Sequence, residues 1–349
     1  MSTSVASAVA APLPATKSAK AWLVGPWFDL VFLANLAWPL AALLYFARQL
    51  SSTEPLAQDE SIVLFQTYFL STPHRWITLV LVFCDSDRFW KEPVKYGGLG
   101  IGMVALGLAL VAVASFVPFA TTSLTLLMML DYVWNAWHFG SQHAGISRIY
   151  GRVSRPDQPA EHGEFEKMAI RVLVLWVFFR LAIQLASASQ YGDNVSWLTP
   201  WLQWVDPIVY IPTVVLFARE IVSFRSESLG RLLYLLSVVA LYSAQLIAIR
   251  LDSFAWMTAF FFAGAIFHAV EYLAICNWSV QKRTTGIWNY QITRTGLAVI
   301  VFMAVLGAAN WLINAQSVYA WQLITLLVSL LHYAYDGLIW KAKPAPAKA

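Results

Sequence analysis

Long apolar segments alternate with short polar ones along nearly the whole chain. About 20 apolar residues in a helix cross the hydrocarbon core of a bilayer, so runs of this length are typical of membrane-spanning helices. The pattern predicts ten such segments, at 27–47, 61–84, 98–119, 122–147, 165–188, 205–224, 229–250, 253–278, 291–314 and 318–341. We therefore expect an all-α protein, a polytopic transmembrane bundle of about ten helices.

Both ends of the chain differ from this pattern. Residues 1–20 are rich in Ala, Ser and Pro, and residues 342–349 are rich in Ala, Pro and Lys. We expect two short cytoplasmic tails around a single transmembrane domain, residues 21–341. Within it, the third and fourth segments are separated only by a short turn near Pro118.

The composition agrees with a membrane protein. Hydrophobic residues make up 59% of the chain and charged residues 12%, whereas about a quarter of the residues of a soluble domain are charged. The net charge of +4 lies in the loops, which favours a role in membrane orientation and gives no support to nucleic-acid binding. Two cysteines, Cys84 and Cys276, imply no disulfide framework.

Basic residues mark one side of the predicted membrane. They follow the second, fourth, sixth and eighth segments, as Arg88, Lys91, Lys95, Arg148, Arg152, Arg155, Arg225, Arg231, Lys282 and Arg283. No Lys or Arg follows the fifth or the ninth segment. Because cytoplasmic loops carry the excess of Lys and Arg, both termini are predicted to be cytoplasmic and every even-numbered helix to run from outside to inside.

The fourth segment carries the most unusual polar residues. Asp131, Asn135, His138 and Gln142 follow one another at helical spacing and share one face. Ionisable residues inside a membrane are costly, and they generally face the interior of the bundle at a functional site.

Four histidines are predicted to lie at one depth. His74, His138, His268 and His332 each stand 9 or 10 residues before the predicted cytoplasmic end of an even-numbered segment. A rise of about 1.5 Å per residue places all four in one thin layer. Imidazole is the commonest protein ligand for transition metals, so this layer predicts a metal site. His143 lies deeper as a possible extra ligand, and His162 falls in a loop.

Three carboxylates share helix faces with these histidines. Glu271 stands three residues after His268, Asp336 four after His332, and Asp131 seven before His138. Carboxylates beside metal-bound histidines orient the rings and raise their basicity. Glu271 and Asp336 are the candidates for relaying a proton during catalysis, and polar contacts between helices are the alternative role.

Two short motifs resemble those of a known family. Thr72-Pro-His74 and Trp137-His-Phe-Gly140 are similar to the Pro-His and His-Phe-Gly of the bacterial Brp/Blh family, membrane enzymes that split β-carotene to retinal. The resemblance implies Fe(2+) held by His74 and His138, O₂ and a carotenoid as substrates, and a multi-pass protein of a bacterial-type inner membrane. His268 and His332 join this ligand set by depth alone.

The predicted function is a membrane-embedded non-haem iron oxygenase that acts on a lipophilic substrate: a carotenoid, another polyene or a lipid. Three alternatives remain. A di-metal desaturase or hydroxylase would need further ligands, and the six histidines are too few for the His-rich boxes of membrane desaturases. A haem electron-transfer protein would use two histidines as axial ligands. A transporter would line an ion path with the same polar layer.

Overall fold

Ten long α-helices make up most of the computed structural model, which describes residues 19–51, 64–116, 120–156, 161–188, 195–281 and 283–340. In chain order they are α1 (Trp38–Ser51), α2 (Thr72–Phe83), α3 (Pro93–Phe116), α4 (Ala120–Ser154), α5 (Glu161–Ser187), α6 (Thr199–Val222), α7 (Leu229–Arg250), α8 (Phe254–Val280), α9 (Gly296–Gln316) and α10 (Val318–Ile339). No strand occurs in these ranges.

The predicted helical bundle is confirmed. Each helix overlaps one predicted segment, and seven of the helical segments are long and apolar enough to cross a membrane. Those seven correspond to α1, α3, α5, α7, α8, α9 and α10. The predicted turn near Pro118 and most of the two predicted tails lie outside the described residues.

α8 is the central helix of the bundle, and α9 is peripheral. In their most apolar windows, 72% of the α8 residues are buried but only 11% of those in α9. The outward side chains of α9 include Ile300, Val301 and Val305, which are more than half exposed. An apolar surface of this kind is suited to contact with lipid, so the polar chemistry must lie around α8.

α4 and α5 approach each other closely at Gly140. A methyl group on Gly140 would stand 3.1 Å from Cα of Arg171 on α5, which is closer than nine in ten real contacts of a Cβ atom, so the glycine favours this spacing. Small residues at helix contacts let membrane helices pack backbone to backbone. His138 lies two residues before this contact, which holds its helix against α5.

A π-helical turn precedes α2 and carries the chain into Pro73. It spans Phe65–Ser71, and the hydroxyl of Thr72 donates to the carbonyl of Thr67 at 2.8 Å. Proline has no N–H and clashes with the carbonyl four residues earlier in a regular α-helix, whereas a π turn widens the backbone there. The turn therefore sets the direction in which His74 enters the bundle.

A buried network of charges connects four helices near the C-terminal end of α4. Arg231 of α7 contacts Glu166 of α5 at 2.8 Å and Glu220 of α6 at 2.9 Å. Arg155, directly after α4, contacts Glu220 at 3.1 Å. Buried charges persist in proteins when they are paired in this way. The network fixes the ends of these four helices relative to one another.

Candidate metal centre

The four histidines predicted from depth converge inside the bundle. One ring nitrogen from each of His74, His138, His268 and His332 lies within 4.8 Å of the corresponding atom of the other three. All four side chains are buried, and they come from α2, α4, α8 and α10. The convergence of the four helices on one point is thus confirmed.

The imidazole rings follow one another around a closed circuit. The centroid distances are 5.1 Å from His74 to His268, 4.9 Å from His268 to His138, 4.5 Å from His138 to His332 and 5.1 Å from His332 to His74. Each ring plane is inclined by 70° to 89° to its neighbours in the circuit. Nε2 of His138 and Nε2 of His332 are only 2.9 Å apart. The arrangement surrounds a common centre.

The donor set fits a transition-metal ion. Neither ring nitrogen of His268 has a hydrogen-bond partner among the described residues, although the side chain is 1% exposed. Leaving such a buried polar atom unpaired costs about 1–3 kcal/mol. Imidazole nitrogens bind zinc, for example, at about 2.0–2.1 Å, so ligands on opposite sides of an ion stand roughly 4 Å apart. The 4.8 Å limit on the nitrogen separations is close to that spacing.

Asp336 is the carboxylate of this centre. Its oxygens lie 3.8 Å from Nδ1 of His138 and 3.9 Å from Nδ1 of His332. The hydroxyl of Tyr272 donates a hydrogen bond to Asp336, and the hydroxyl of Thr78 lies 3.3 Å from the same oxygen. The predicted placement of Asp336 beside His332 agrees with these distances, and the carboxylate also faces His138.

Thr78 fixes the orientation of one ring. Its hydroxyl lies 2.7 Å from Nδ1 of His332 and 2.7 Å from the hydroxyl oxygen of Tyr272. With Nδ1 occupied by this contact, Nε2 of His332 is the atom that faces His138. A hydrogen bond on one nitrogen commonly sets which nitrogen of a histidine is available to a metal.

The expected pairing of Glu271 with His268 requires correction. Oε2 of Glu271 lies 2.9 Å from Nδ1 of His143, and the hydroxyl of Tyr234 donates to Oε1 of Glu271. His143 also has its Nε2 3.2 Å from the hydroxyl of Tyr242. Three residues of helix turn Glu271 about 60° away from His268, which is enough to point it at α7 and α4.

His143 and Asp131 lie outside the four-histidine group. His143 is held by Glu271 and two tyrosines, as just described. Asp131 makes no direct contact with His138 among the described interactions. Its partner is Tyr333, whose hydroxyl donates to Asp131 at 3.3 Å and to Asn135 at 3.2 Å. The ring of Tyr333 also lies beside His138, with the two ring centroids 5.1 Å apart. Tyr333 therefore links Asp131 to the centre.

Sequence reasoning missed Tyr272, although the chain carries a signal for it. Every one of the four histidines is followed four residues later by a polar side chain, namely Thr78, Gln142, Tyr272 and Asp336. Residues four apart share a helix face, so these polar groups form a layer one turn below the histidines. Three of them are hydrogen-bonded to one another, and Gln142 donates to the carbonyl of His268 at 2.9 Å.

A cavity of about 450 Å³ opens against this centre. His138, Tyr272 and Asp336 form its inner end, and Trp134, Trp137 and Tyr333 contribute aromatic walls. Phe139 closes the other side of the histidine group by stacking on His268, with the ring centroids 3.7 Å apart. A molecule in the cavity would therefore meet His138 and Asp336 first.

Comparison of the chain with protein-family models, with curated protein sequences and with solved structures finds no match. The two motifs that resemble the Brp/Blh family therefore remain a sequence-based expectation about function.

Proposed function

We propose that this protein is a membrane-embedded, iron-dependent oxygenase that acts on a lipophilic substrate through the four-histidine centre. The single observation that carries the proposal is the convergence of His74, His138, His268 and His332, buried, from four helices. A structural role alone would not require four imidazoles to face one another with the nitrogens of His268 left without partners.

Iron is the metal that the sequence resemblance implies, and imidazole is among its common ligands. When bound, it would supply the redox chemistry that allows O₂ to react with a C=C or C–H bond. Cleavage of a C=C bond by O₂ gives two carbonyl groups and balances without an external reductant. Hydroxylation or desaturation would additionally require two electrons from a donor, so the dioxygenase reaction is the simpler proposal.

The chain's own residues would orient the ligands and position the substrate. Thr78 contacts the imidazole of His332 at 2.7 Å, and Asp336 lies 3.8 Å from that of His138. Asp336 and Tyr272 share a hydrogen bond at the inner end of the cavity, where they can hold or relay a proton. The aromatic walls would exclude water from the reacting bond. Glu271, held against His143, has no such access to the cavity lining.

The geometry favours a single non-haem ion over the alternatives. Four imidazoles with nitrogens inside 4.8 Å leave no space for a porphyrin between two of them. A second metal would need His143 and Glu271 as ligands, and these two contact each other and neighbouring tyrosines.

Metal content tests the proposal directly. Protein purified in mild detergent should contain about one iron per chain, and the variants His138→Ala and His268→Ala should each lose it together with O₂-dependent activity. His162→Ala should keep both: the structure places His162 in the first turn of α5 rather than in the predicted loop, and it is not one of the four converging histidines. The measurement is elemental analysis on folded, monodisperse protein.

Three results would contradict the proposal. A protein without stoichiometric metal after reconstitution with Fe(2+) would exclude a metal-dependent enzyme. A Soret band in the purified protein would identify a haem protein, and ion transport in vesicles with no bound metal would identify a transporter.

A further inference from the structure

The cavity beside the histidine centre ends at a group of cations. Its lining includes Arg148 and Arg152 on α4 and Lys167 and Arg171 on α5. Along α4, ten residues separate His138 from Arg148, a distance of about 15 Å in a helix. The cavity therefore joins a candidate metal centre at one end to a positively charged opening at the other.

The cations stand in like-charged pairs on two facing helices. Arg148 and Arg152 are four residues apart on α4, and Lys167 and Arg171 are four apart on α5. Like charges at this spacing repel each other. Their arrangement around one cavity is stabilised when an anion lies between the two helices.

Nearby carboxylates compensate only part of this charge. Glu164 contacts Arg148 at 3.2 Å and Lys167 at 2.7 Å, but its side chain is 61% exposed. Arg171 instead donates to the hydroxyl of Ser141 at 3.0 Å and lies over the Trp137 ring. Among the described lining residues, Asp336 is the only carboxylate, and it belongs to the metal centre.

The rest of the cavity lining combines apolar and polar side chains. Ile146, Ile149, Ile275 and Trp340 supply apolar surface, and Ser141 and Gln142 also line the cavity. An inorganic anion would not cover these apolar side chains, and an uncharged hydrocarbon would add no counter-charge to the four cations. The volume of about 450 Å³ falls in the range of small-molecule sites, about 300–1,000 Å³.

We propose that the cavity binds a single-chain anionic lipid, with a carboxylate or phosphate head group at Arg148, Arg152, Lys167 and Arg171 and with its apolar chain extending toward His138. The inference rests on the proposed function, because it names the substrate class of the same centre. It also departs from the resemblance described above, since β-carotene carries no charge and would leave the cations unused.

Binding of oleate and of oleyl alcohol tests this proposal, because the two probes share a chain and differ in head-group charge. The full-length protein is placed in nanodiscs of zwitterionic phosphatidylcholine, and affinity is measured by competition against a fatty acid with a mid-chain diazirine. We expect oleate to bind about tenfold or more tightly than the alcohol, since hydrogen bonds to an ionised group are stronger than those between neutral groups. Cross-linked peptides should map to α4 or α10.

A double variant removes one cation from each helix. Arg152→Gln with Arg171→Gln should weaken oleate binding about tenfold or more and leave the alcohol unchanged. The matched control is Lys91→Gln with Lys95→Gln, which removes the same charge from exposed side chains outside the cavity. If the first double variant does not fold, the preference of the wild-type chain for oleate and its loss at high salt provide the same test.

Equal affinity for oleate and oleyl alcohol would overturn the proposal, as would competition by inorganic phosphate at the concentrations at which oleate competes. His74→Ala separates this inference from the proposed function, because His74 does not line the cavity. That variant should lose metal and still prefer oleate. If the wild-type protein prefers oleate but binds no metal, only the oxygenase proposal fails.

Discussion

At the residue scale, the four histidines differ in what holds their rings. His332 is oriented by the Thr78 hydroxyl at 2.7 Å, and Asp336 faces both His332 and His138. The ring of His268 stacks on Phe139, and its two nitrogens have no hydrogen-bond partner among the described residues, so a bound ion would be the main polar partner of these nitrogens. The centre is therefore asymmetric, with Asp336 on the side that faces the cavity.

Asp336→Asn should reduce metal affinity about 10–100-fold, because removing a carboxylate that supports ligating histidines typically has this effect. Glu271→Gln provides the control: it neutralises another buried carboxylate on a histidine-bearing helix, but one that contacts His143. Metal titration of both variants distinguishes the two positions. Equal losses of affinity would show that Glu271 also supports the centre.

At the element scale, the direction and spacing of the helices bring the histidines together. The π turn over Phe65–Ser71 allows Pro73 to precede His74 without a clash, and Gly140 lets α4 lie against α5. A helix displaced by a single ångström would move its imidazole by a comparable amount. Metal coordination tolerates deviations of only a few tenths of an ångström in the metal–ligand distances.

Gly140→Ala should destabilise the protein, because the new methyl group would stand 3.1 Å from Cα of Arg171, and the backbone of α5 cannot move away independently. Overpacking of this kind costs about 1–3 kcal/mol, against a gain of about 1 kcal/mol in helix propensity. The measurement is thermal unfolding in detergent.

Gly145→Ala is the matched control on the same helix. No atom lies within 4 Å of the position that its methyl group would occupy, so only the gain in propensity should remain. A lower midpoint of unfolding for Gly145→Ala than for Gly140→Ala would contradict close packing of α4 against α5.

At the scale of the whole molecule, the positions of the basic residues and of the cavity indicate one orientation in the membrane. The cavity runs from the histidines toward the C-terminal ends of α4, α8 and α10, where its lining contains four cations. Basic residues accumulate on the cytoplasmic side of membrane proteins. We therefore propose that the charged opening of the cavity faces the cytoplasm.

Reporter fusions in a bacterial inner membrane test this orientation. A fluorescent protein that folds only in the cytoplasm should be bright at both termini, and a phosphatase active only outside should be silent at both. As an internal control, phosphatase inserted after α5 should be active, because no Lys or Arg follows the fifth predicted segment. Phosphatase activity at either terminus would contradict the proposal that the charged opening of the cavity faces the cytoplasm.

The sequence by itself determined the helices and the common depth of the histidines. Hydrophobic runs fix which segments span a bilayer, and the constant rise of a helix converts sequence position into depth, so His74, His138, His268 and His332 could be aligned. The sequence also shows a polar residue four positions after each histidine, namely Thr78, Gln142, Tyr272 and Asp336.

Only the tertiary structure decided which side chains meet. Spacing along one helix placed Glu271 near His268, but the rotation of α8 against α4 and α7 pointed it at His143 and Tyr234. The cavity likewise depends on how α4, α5, α8 and α10 pack. The depth of a residue follows from its position along a single helix. The rotation of that helix about its axis is set by the helices it packs against, and the sequence pattern of one segment does not identify those neighbours.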